Sequence, residues 1–569
     1  MNTPTRDQVP SKDNASQPAS PHQSESITIP EKSLMDCSLA LALFVGSCLY
    51  LVPFYNYTTM FSDEGIFLQG AQRILQGQIL YRDFFSLFTP GSFYGLALLF
   101  RIFGSSILVA RAALIVYGGA FSVLTYLVAR RVCTRLAGLV TACLATITCL
   151  PYYFMALHNW DSTLWAYVGL YCAVRSLESR QRAWPMLMGT FAAFTCLCEQ
   201  PRGAGLVFGM GLGLVLIGWY RERRISINWR FLSTLTAGFA WPLVATFVYF
   251  GMQRSLQPML ADWFWPLKNY AAGNRAFYGQ VLLPSSDLHM LLSGPLLAGL
   301  IAIFALAPCF IIPALPILAV GILAFGLFQL WRRRESQDVS SYYVLVSATL
   351  VGLLLSTLAT GRPDLVHIMV QAPLFLLVLA WGLGGRGFQS PLLTALRPLA
   401  GTVITLSFAA FGLALLWAPL NARYILRTRR GDLKAAGPDA VLEELLARVR
   451  SGTRIYVYPN QPLYYYLAAA DNPTRYDDLG PGVSTPEEFQ EALLEVEKDR
   501  TPVVLFEPGY IQRLPVSRSS IPLTVMAARD FGAEYFPAHY KNCKTLNSGS
   551  QNAIFVLMVR KDLSCDGPF

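Results

Sequence analysis

The chain has 569 residues, of which 54% are hydrophobic and only 14% charged, with a formal net charge of +10 and a mean hydropathy of +0.41. Soluble domains carry about a quarter charged residues, so a wholly soluble globular protein is excluded. The basic excess does not point to nucleic acid, because it is gathered at the ends of apolar segments: Arg130, Arg131 and Arg135; Arg180 and Arg182; Arg221, Arg223 and Arg224; Arg332, Arg333 and Arg334; Arg386 and Arg397. That is the placement the positive-inside rule gives for cytoplasmic loops.

In chain order, Met1 to Ile29 is rich in Ser, Pro, Gln, Asn and Asp and too polar to build a core; residues 1–33 read as a disordered cytoplasmic tail. Long apolar stretches then fill Leu34 to Leu420. Runs of about 20 apolar residues cross a bilayer as helices, since hydrocarbon offers no partner to unpaired backbone groups. The first span covers about 34–53. The long loop from Asn56 to Ser105 follows on the far side, with two semi-apolar pieces, Glu64 to Leu75 and Pro90 to Phe103, read as interfacial helices. Later spans are placed at 106–129, 136–155, 161–178, 184–199, 203–220, 231–250, 311–331, 341–359, 365–384 and 398–420. Leu288 to Trp331 has the length for two crossings, but two would put Arg332, Arg333 and Arg334 outside. One crossing is expected there, preceded by an interfacial or re-entrant helix around Leu288 to Leu306. Eleven spans result, with the N-terminus cytoplasmic and the last region, 421–569, extracytoplasmic.

That region alternates helix and strand: helix over Asp439 to Val449, strand over Arg454 to Tyr458, helix over Thr485 to Glu497, strands over Pro502 to Phe506 and Ala553 to Val559. The pattern predicts a small α/β domain. It contains no glycine-rich phosphate loop, Ser-His-Asp signature or Cys-His zinc pattern. Nine of the 11 cysteines lie in or beside apolar spans, as small core residues do. Cys543 and Cys565 stand apart in the tail and are able to pair if it lies outside the cytoplasm.

The segment after the first span concentrates the chemistry: Phe61-Ser62-Asp63-Glu64-Gly65, then Gln69-Gly70-Ala71, then Gly77 through Phe84, then Phe88-Thr89-Pro90-Gly91. Two adjacent carboxylates just outside a membrane helix suit a general base and a hydrogen-bond acceptor or metal ligand. Equally, Ser62 or Asp63 would cap a helix starting near Gly65, with Glu64 at its positive end.

This segment resembles the first extracytoplasmic loop of the GT-C glycosyltransferases, specifically the protein O-mannosyltransferase and lipid A aminoarabinose transferase group. The matching elements are Asp63-Glu64, Tyr81-Arg82-Asp83-Phe84, Thr89-Pro90-Gly91, Phe103-Gly104 and Arg111, in that order. The resemblance covers about the first third of the chain. It implies a polytopic α-helical GT-C-like membrane domain over 34–420 that takes a sugar from a polyprenyl-phosphate carrier. Asp63 would act as base, with Glu64 and Asp161 as further catalytic carboxylates; Asp161 otherwise reads as the N-cap of the span at Ser162. One departure stands out. Aminoarabinose transferases have Lys-Pro-Pro where this chain has Thr89-Pro90-Gly91, so another cation must hold the donor phosphate.

Substrate-binding candidates are Arg82, Asp83, His158, Arg202, Lys268, Arg362, Asp364 and His367. Ionisable groups set among spans are functional candidates by default, and arginines suit a phosphate. Arg202 and Arg362 would otherwise pair with Glu199 and Asp364 to satisfy helix turns. Trp263, Trp265, Tyr270 and Tyr278 read first as an interfacial aromatic belt. The partners implied are the polyprenyl-phosphate sugar, a lipid, glycan or protein acceptor, and membrane lipids, in the inner (plasma) membrane. The residues commit to no cofactor, and a divalent cation stays open. Transfer with inversion is the expected chemistry; the rival readings are a lipid-linked sugar flippase and a non-catalytic scaffold.

Overall fold

A computed structural model describes residues 34–60, 62–222, 228–273, 276–280, 296–332, 339–385, 391–480, 484–510, 530–548, 553–566 and 568–569. The expected disordered tail (1–33), Phe61, Arg223, Arg224, Arg275, Arg333, Arg334 and Arg386 lie outside the described residues.

The first apolar run forms α1 (Leu34–Leu51). The loop helices are α2 (Ser62–Leu75) and α3 (Gly91–Phe103), close to the two interfacial pieces expected. Then come α4 (Ile107–Val132), α5 (Arg135–Tyr152), α6 (His158–Glu178), α7 (Ala183–Cys198), α8 (Gln200–Glu222), α9 (Trp229–Met252) and α10 (Leu256–Gly273). Among the described residues, eight helical runs are long and apolar enough to cross a membrane. The expected spans at 184–199 and 365–384 correspond to shorter apolar helices, and α6 at 161–178 is too polar to count among the eight.

The stretch around 288–331 is described in part, and one expected span is broken in two. Residues 288–295 lie outside the described residues, but α11 (Leu296–Leu306) and α12 (Pro308–Arg332) follow one another across a break at Ala307. After α13 (Val339–Ala359), the expected span 365–384 is broken into α14 (Leu365–Met369) and α15 (Ala372–Gly384). Asp364 caps the first piece through the His367 N–H, and Pro373 opens the second, which favours a restart over a continuous helix. The long α16 (Pro391–Asn421) ends the membrane part; Ser407 Oγ on it donates to the Phe304 carbonyl of α11 at 2.6 Å.

Inside the bundle, packing rests on small residues and shared hydroxyls, as it must where lipid is as apolar as leucine. Helices α8 and α13 cross with Gly205, Gly209 and Gly352 at the contact. A Cβ on Gly352 would lie 2.2 Å from the Gly205 carbonyl oxygen. Ser47, Ser122 and Thr146 join α1, α4 and α5 in a buried hydroxyl cluster. At one end of these helices, Asp36 pairs with Arg130 at 3.6 Å and Arg135 at 3.1 Å, and Arg131 with Glu178 at 2.9 Å. The loops carrying the candidate site lie at the opposite ends of the same helices.

The tail opens with an antiparallel pair, β1 (Tyr424–Leu426) and β2 (Leu433–Ala435). The rest packs α17 (Ala440–Arg448), α18 (Pro462–Leu467), α19 (Pro486–Asp499) and α20 (Phe531–His539) about a sheet of β3 (Ile455–Tyr458), β4 (Val503–Phe506), β5 (Tyr540–Ser548) and β6 (Ala553–Arg560). The order is β3-β4-β6-β5, with β3 parallel to β4 and the other pairs antiparallel. Every residue of the central strand β4 and of the edge strand β3 is buried, so the β3 edge of the sheet is covered. The five expected elements are present; β1, β2, β5, α18 and α20, each too short or too polar to show a period, were not expected.

The tail is stitched to the first loop by backbone bonds. Lys434 N donates to Asn56 O at 2.6 Å, Thr58 N to Lys434 O at 2.8 Å, and Ile107 N to Arg430 O at 3.1 Å. Helix α2 lies on α18, and Gly65 permits the approach: a Cβ there would stand 2.1 Å from Leu463 N. We expect Gly65→Ala to cost about 1–3 kcal/mol through forced separation of backbones, read as a lower melting temperature and faster proteolysis of the tail. Gly95→Ala, which would meet nothing within 4 Å, is the neutral comparison.

Candidate functional site

Helix α2 begins at Ser62, so Asp63 and Glu64 both sit in its first turn rather than capping a helix that starts at Gly65. There they favour the positive end of the helix. Consecutive helical residues point about 100° apart, and the two carboxylates go separate ways. Glu64 is 1% exposed. It takes Arg111 Nε at 3.0 Å and Nη2 at 2.6 Å, and the Ala156 N–H at 3.0 Å; Arg111 also donates to the Tyr57 carbonyl. The pair binds α2 to α4 and to the α5–α6 loop. Asp63 faces outward and accepts from the Tyr153 hydroxyl at 3.2 Å.

Tyr153 lies within electrostatic reach of Asp63, Arg362 and Asp364, which draws the turn after α13 into the same neighbourhood. In that turn Asp364, 1% exposed, accepts Arg362 Nε at 3.3 Å, His367 N at 3.0 Å and His367 Nδ1 at 2.7 Å. Arg362 and His367 keep 19% and 28% side-chain exposure. Gly361 has φ +74, and the turn is held from below by the Ala276 N–H to Gly361 O and the Gly279 N–H to Pro363 O.

His158 opens α6, its ring 4.4 Å from Phe88 and 5.0 Å from Phe67, within reach of Glu199, Arg202 and His367. Asp161 follows His158 by three residues in the first turn of α6. Leu157 is the N-cap of α6, so Asp161 is not its cap; it accepts the Tyr117 hydroxyl at 2.8 Å. It borders a mainly apolar cavity of about 560 Å³ between α3, α4, α6 and α7. Within the expected trio of Asp63, Glu64 and Asp161, Glu64 is held in the buried ion pair with Arg111, while Asp161 lines the cavity.

Arg202 is 1% exposed. It donates to Asn159 O, Ser162 Oγ and Thr163 Oγ1 at 2.6, 2.6 and 2.8 Å and pairs with Glu199 at 3.1 Å. With four protein acceptors around its guanidinium, it clamps α8 to the start of α6 instead of presenting a face to a phosphate. Arg82 and Asp83 form a solvent-facing pair at 2.8 Å. Arg82 holds the Asp83 carboxyl below the usual range, while Asp83 secures its turn through the Ile79 N–H at 2.7 Å. Lys268 lies on α10, but its side chain is outside the described residues. Thr89, where the related enzymes carry lysine, is fully buried.

Sequence reasoning missed the tail's share. Arg73 of α2 pairs with Asp477 at 2.9 Å, both nearly buried, and donates to Thr474 O at 3.0 Å. Next to it, Asp478 lines a small cleft with Ile66, Ser86, Phe88 and Ser484. On α10, Asp262 faces the Ser86 N–H at 3.5 Å. The acidic doublet Asp477-Asp478 was visible in the chain, but nothing local ties it to a loop some 400 residues earlier. Among the described residues no group of three or more His, Cys, Asp or Glu is arranged to hold a metal ion.

Residues 89–250 match the family described as dolichyl-phosphate-mannose-protein mannosyltransferase. No curated protein matches the chain. Among solved structures, ArnT from Cupriavidus metallidurans bound to undecaprenyl phosphate superposes with a TM-score of 0.51 at 12% identity, covering 94% of this chain and 99% of that one. The oligosaccharyltransferase of Archaeoglobus fulgidus tethered to an acceptor peptide gives a TM-score of 0.45 at 13% identity, covering 95% and 75%. The chain thus has the fold of the GT-C glycosyltransferases, and residues 89–250 resemble the dolichyl-phosphate-mannose-protein mannosyltransferases.

Proposed function

We propose that this protein is a membrane glycosyltransferase that moves a sugar from a polyprenyl-phosphate carrier to an acceptor on the extracytoplasmic side, with inversion. The observation that carries the reading is the outward-facing Asp63, set by Tyr153 in the same neighbourhood as Arg362, Asp364 and His367. It is supported by the family match and by the likeness to a structure with undecaprenyl phosphate bound.

In this reading the acceptor's O–H or N–H gives its proton to Asp63 as the new bond to the anomeric carbon forms. The bond from that carbon to phosphate oxygen breaks, and the electron pair leaves with the polyprenyl phosphate. Arg362, within electrostatic reach of the Tyr153 that bonds Asp63, stabilises the departing phosphate, the role that has no lysine at Thr89. The Cys543–Cys565 disulfide, Cα–Cα 5.5 Å, suits an oxidising compartment. Because α2 docks on the tail, Asp63 lies on that same side of the membrane.

Arg362→Gln is expected to lower kcat by roughly 10²–10³, as losing one transition-state donor does elsewhere, with Arg362→Lys recovering part of it. Steady-state transfer assays check both. Proteoliposomes loaded with radiolabelled polyprenyl-phosphate sugar test the function itself. Covalent transfer supports it, translocation without transfer establishes a flippase, and neither result leaves a scaffold.

A further inference from the structure

The cavity of about 560 Å³ between α3, α4, α6 and α7 has the volume of a small-molecule site and the wrong charge for a phosphate. Gly95, Ala110 and Ala113 leave the room, while Leu114, Trp165 and Phe194 make it apolar. Asp161 is its one charged residue among those described, and no Arg, Lys or His lines it. The Asp161 carboxylate accepts the Tyr117 hydroxyl through Oδ1 at 2.8 Å and, among the described residues, has no cation paired to it. Ser92 lines the same space and lies beside that carboxylate, yet its buried Oγ makes no hydrogen bond of normal geometry. Polar groups left with spare hydrogen-bonding capacity in an apolar hollow are costly unless a ligand takes it up. The cavity also has a direction. Asp161 lies in the first turn of α6 and Trp165 one turn deeper, so the polar end is level with the external loops. Leu98, which is 59% exposed on the interfacial helix α3, opens the cavity toward lipid. Its wall includes Phe67, one helical turn beyond Asp63 on the same face of α2, and Ala156, from the loop that carries Tyr153.

We propose that this cavity seats the acceptor, and that the acceptor is a lipid whose headgroup carries several hydroxyls and no phosphate. The proposal rests on the glycosyl-transfer reading and deepens it by naming the acceptor class. A phosphate in the cavity would set a second negative charge against Asp161 with no cation to meet it, which disfavours both the polyprenyl-phosphate donor and an anionic acceptor. A hydroxylated headgroup instead gives one O–H to Asp161 and meets Ser92 Oγ, while its chains fill the apolar depth. A second hydroxyl is then free to react. Its oxygen bonds to the anomeric carbon, its proton passes to Asp63, and the bond from that carbon to the phosphate oxygen breaks, the electron pair leaving with the phosphate.

The test uses the full chain in nanodiscs, tritiated sugars on undecaprenyl phosphate as donor, and two acceptor probes, monoglucosyl diacylglycerol and phosphatidylglycerol. Both probes offer at least two hydroxyls, and only the second carries a phosphate. Transfer should favour the glucolipid. Asp161→Asn should raise the KM for the glucolipid roughly tenfold, the scale of one hydrogen bond to a charged group, with kcat and the donor KM little changed. Gly95→Leu builds into open space, since a Cβ there meets nothing within 4 Å. It should keep the wild-type melting temperature and raise the same KM by a similar factor. If Asp161→Asn does not fold, Gly95→Leu decides alone. A preference for phosphatidylglycerol, an unchanged acceptor KM, or a donor KM that rises in Gly95→Leu overturns the proposal; the last would put the polyprenyl chain in the cavity. Should the wild type transfer to neither probe, native mass spectrometry decides: the glucolipid retained by the wild type and lost in Gly95→Leu supports the assignment, and no retention overturns it. A donor left intact in the presence of a whole envelope extract refutes the glycosyltransferase reading instead, while transfer to protein alone in that extract refutes only the lipid acceptor.

Discussion

Glu64→Gln is expected to destabilise the protein by about 3–5 kcal/mol, because it strands the Arg111 charge in a site with no water to receive it. Both members of the pair are 2% exposed as side chains, and the fork-to-fork geometry at 2.6 and 3.0 Å leaves neither oxygen of Glu64 idle. Arg111→Met should cost a similar amount by stranding the carboxylate. The double variant Glu64→Leu/Arg111→Met should recover much of the loss, since a buried pair replaced by apolar groups of similar volume is often neutral. Thermal unfolding followed by tryptophan fluorescence gives all three numbers. The pair also fixes where Asp63 points, so activity should fall in step with folded fraction. Glu64→Gln that melts like the wild type yet transfers nothing would make Glu64 part of the chemistry and undo the structural assignment.

How far the chain could be read ahead of its coordinates depended on whether a residue's role is set locally. The spans were legible because hydrocarbon imposes length and composition on every crossing, and β3, β4 and β6 of the tail because they are continuous apolar runs. The break at Val370–Gln371 was not, since two short helices and one long one have the same apolar content. Asp63 and Glu64 read as a unit because they are adjacent, yet adjacency on a helix is divergence. Arg202 read as ambiguous from Glu199-Gln200-Pro201-Arg202. Its fate was settled by Asn159, Ser162 and Thr163, some forty positions away. The link from Arg73 to Asp477 spans 404 positions, and no periodicity or cap encodes such a contact.

Asp63→Asn should leave the fold intact and reduce transfer by roughly 10²–10⁴, the range for removing a general base. The substitution keeps the size of the side chain and still offers an oxygen to the Tyr153 hydroxyl, so the α2 turn and its docking on α18 have no reason to change. Removing a negative charge from the first turn of α2 gives up only about 0.3–1 kcal/mol of favourable interaction with the helix's positive end, so the melting temperature should stay close to that of the wild type. Loss of activity without loss of stability is the signature of a group retained for chemistry and not for packing. Tyr153→Phe provides the graded comparison. It deletes the 3.2 Å hydrogen bond to Asp63 and should cost far less, because Asp63 keeps its charge and loses only part of its orientation. The decisive comparison is kcat/KM for both variants, measured with the same donor and at a pH where the wild type is at its plateau. Full transfer by Asp63→Asn at normal expression removes the base from the mechanism. Equal losses in the two variants would instead place the function in the Tyr153 hydroxyl.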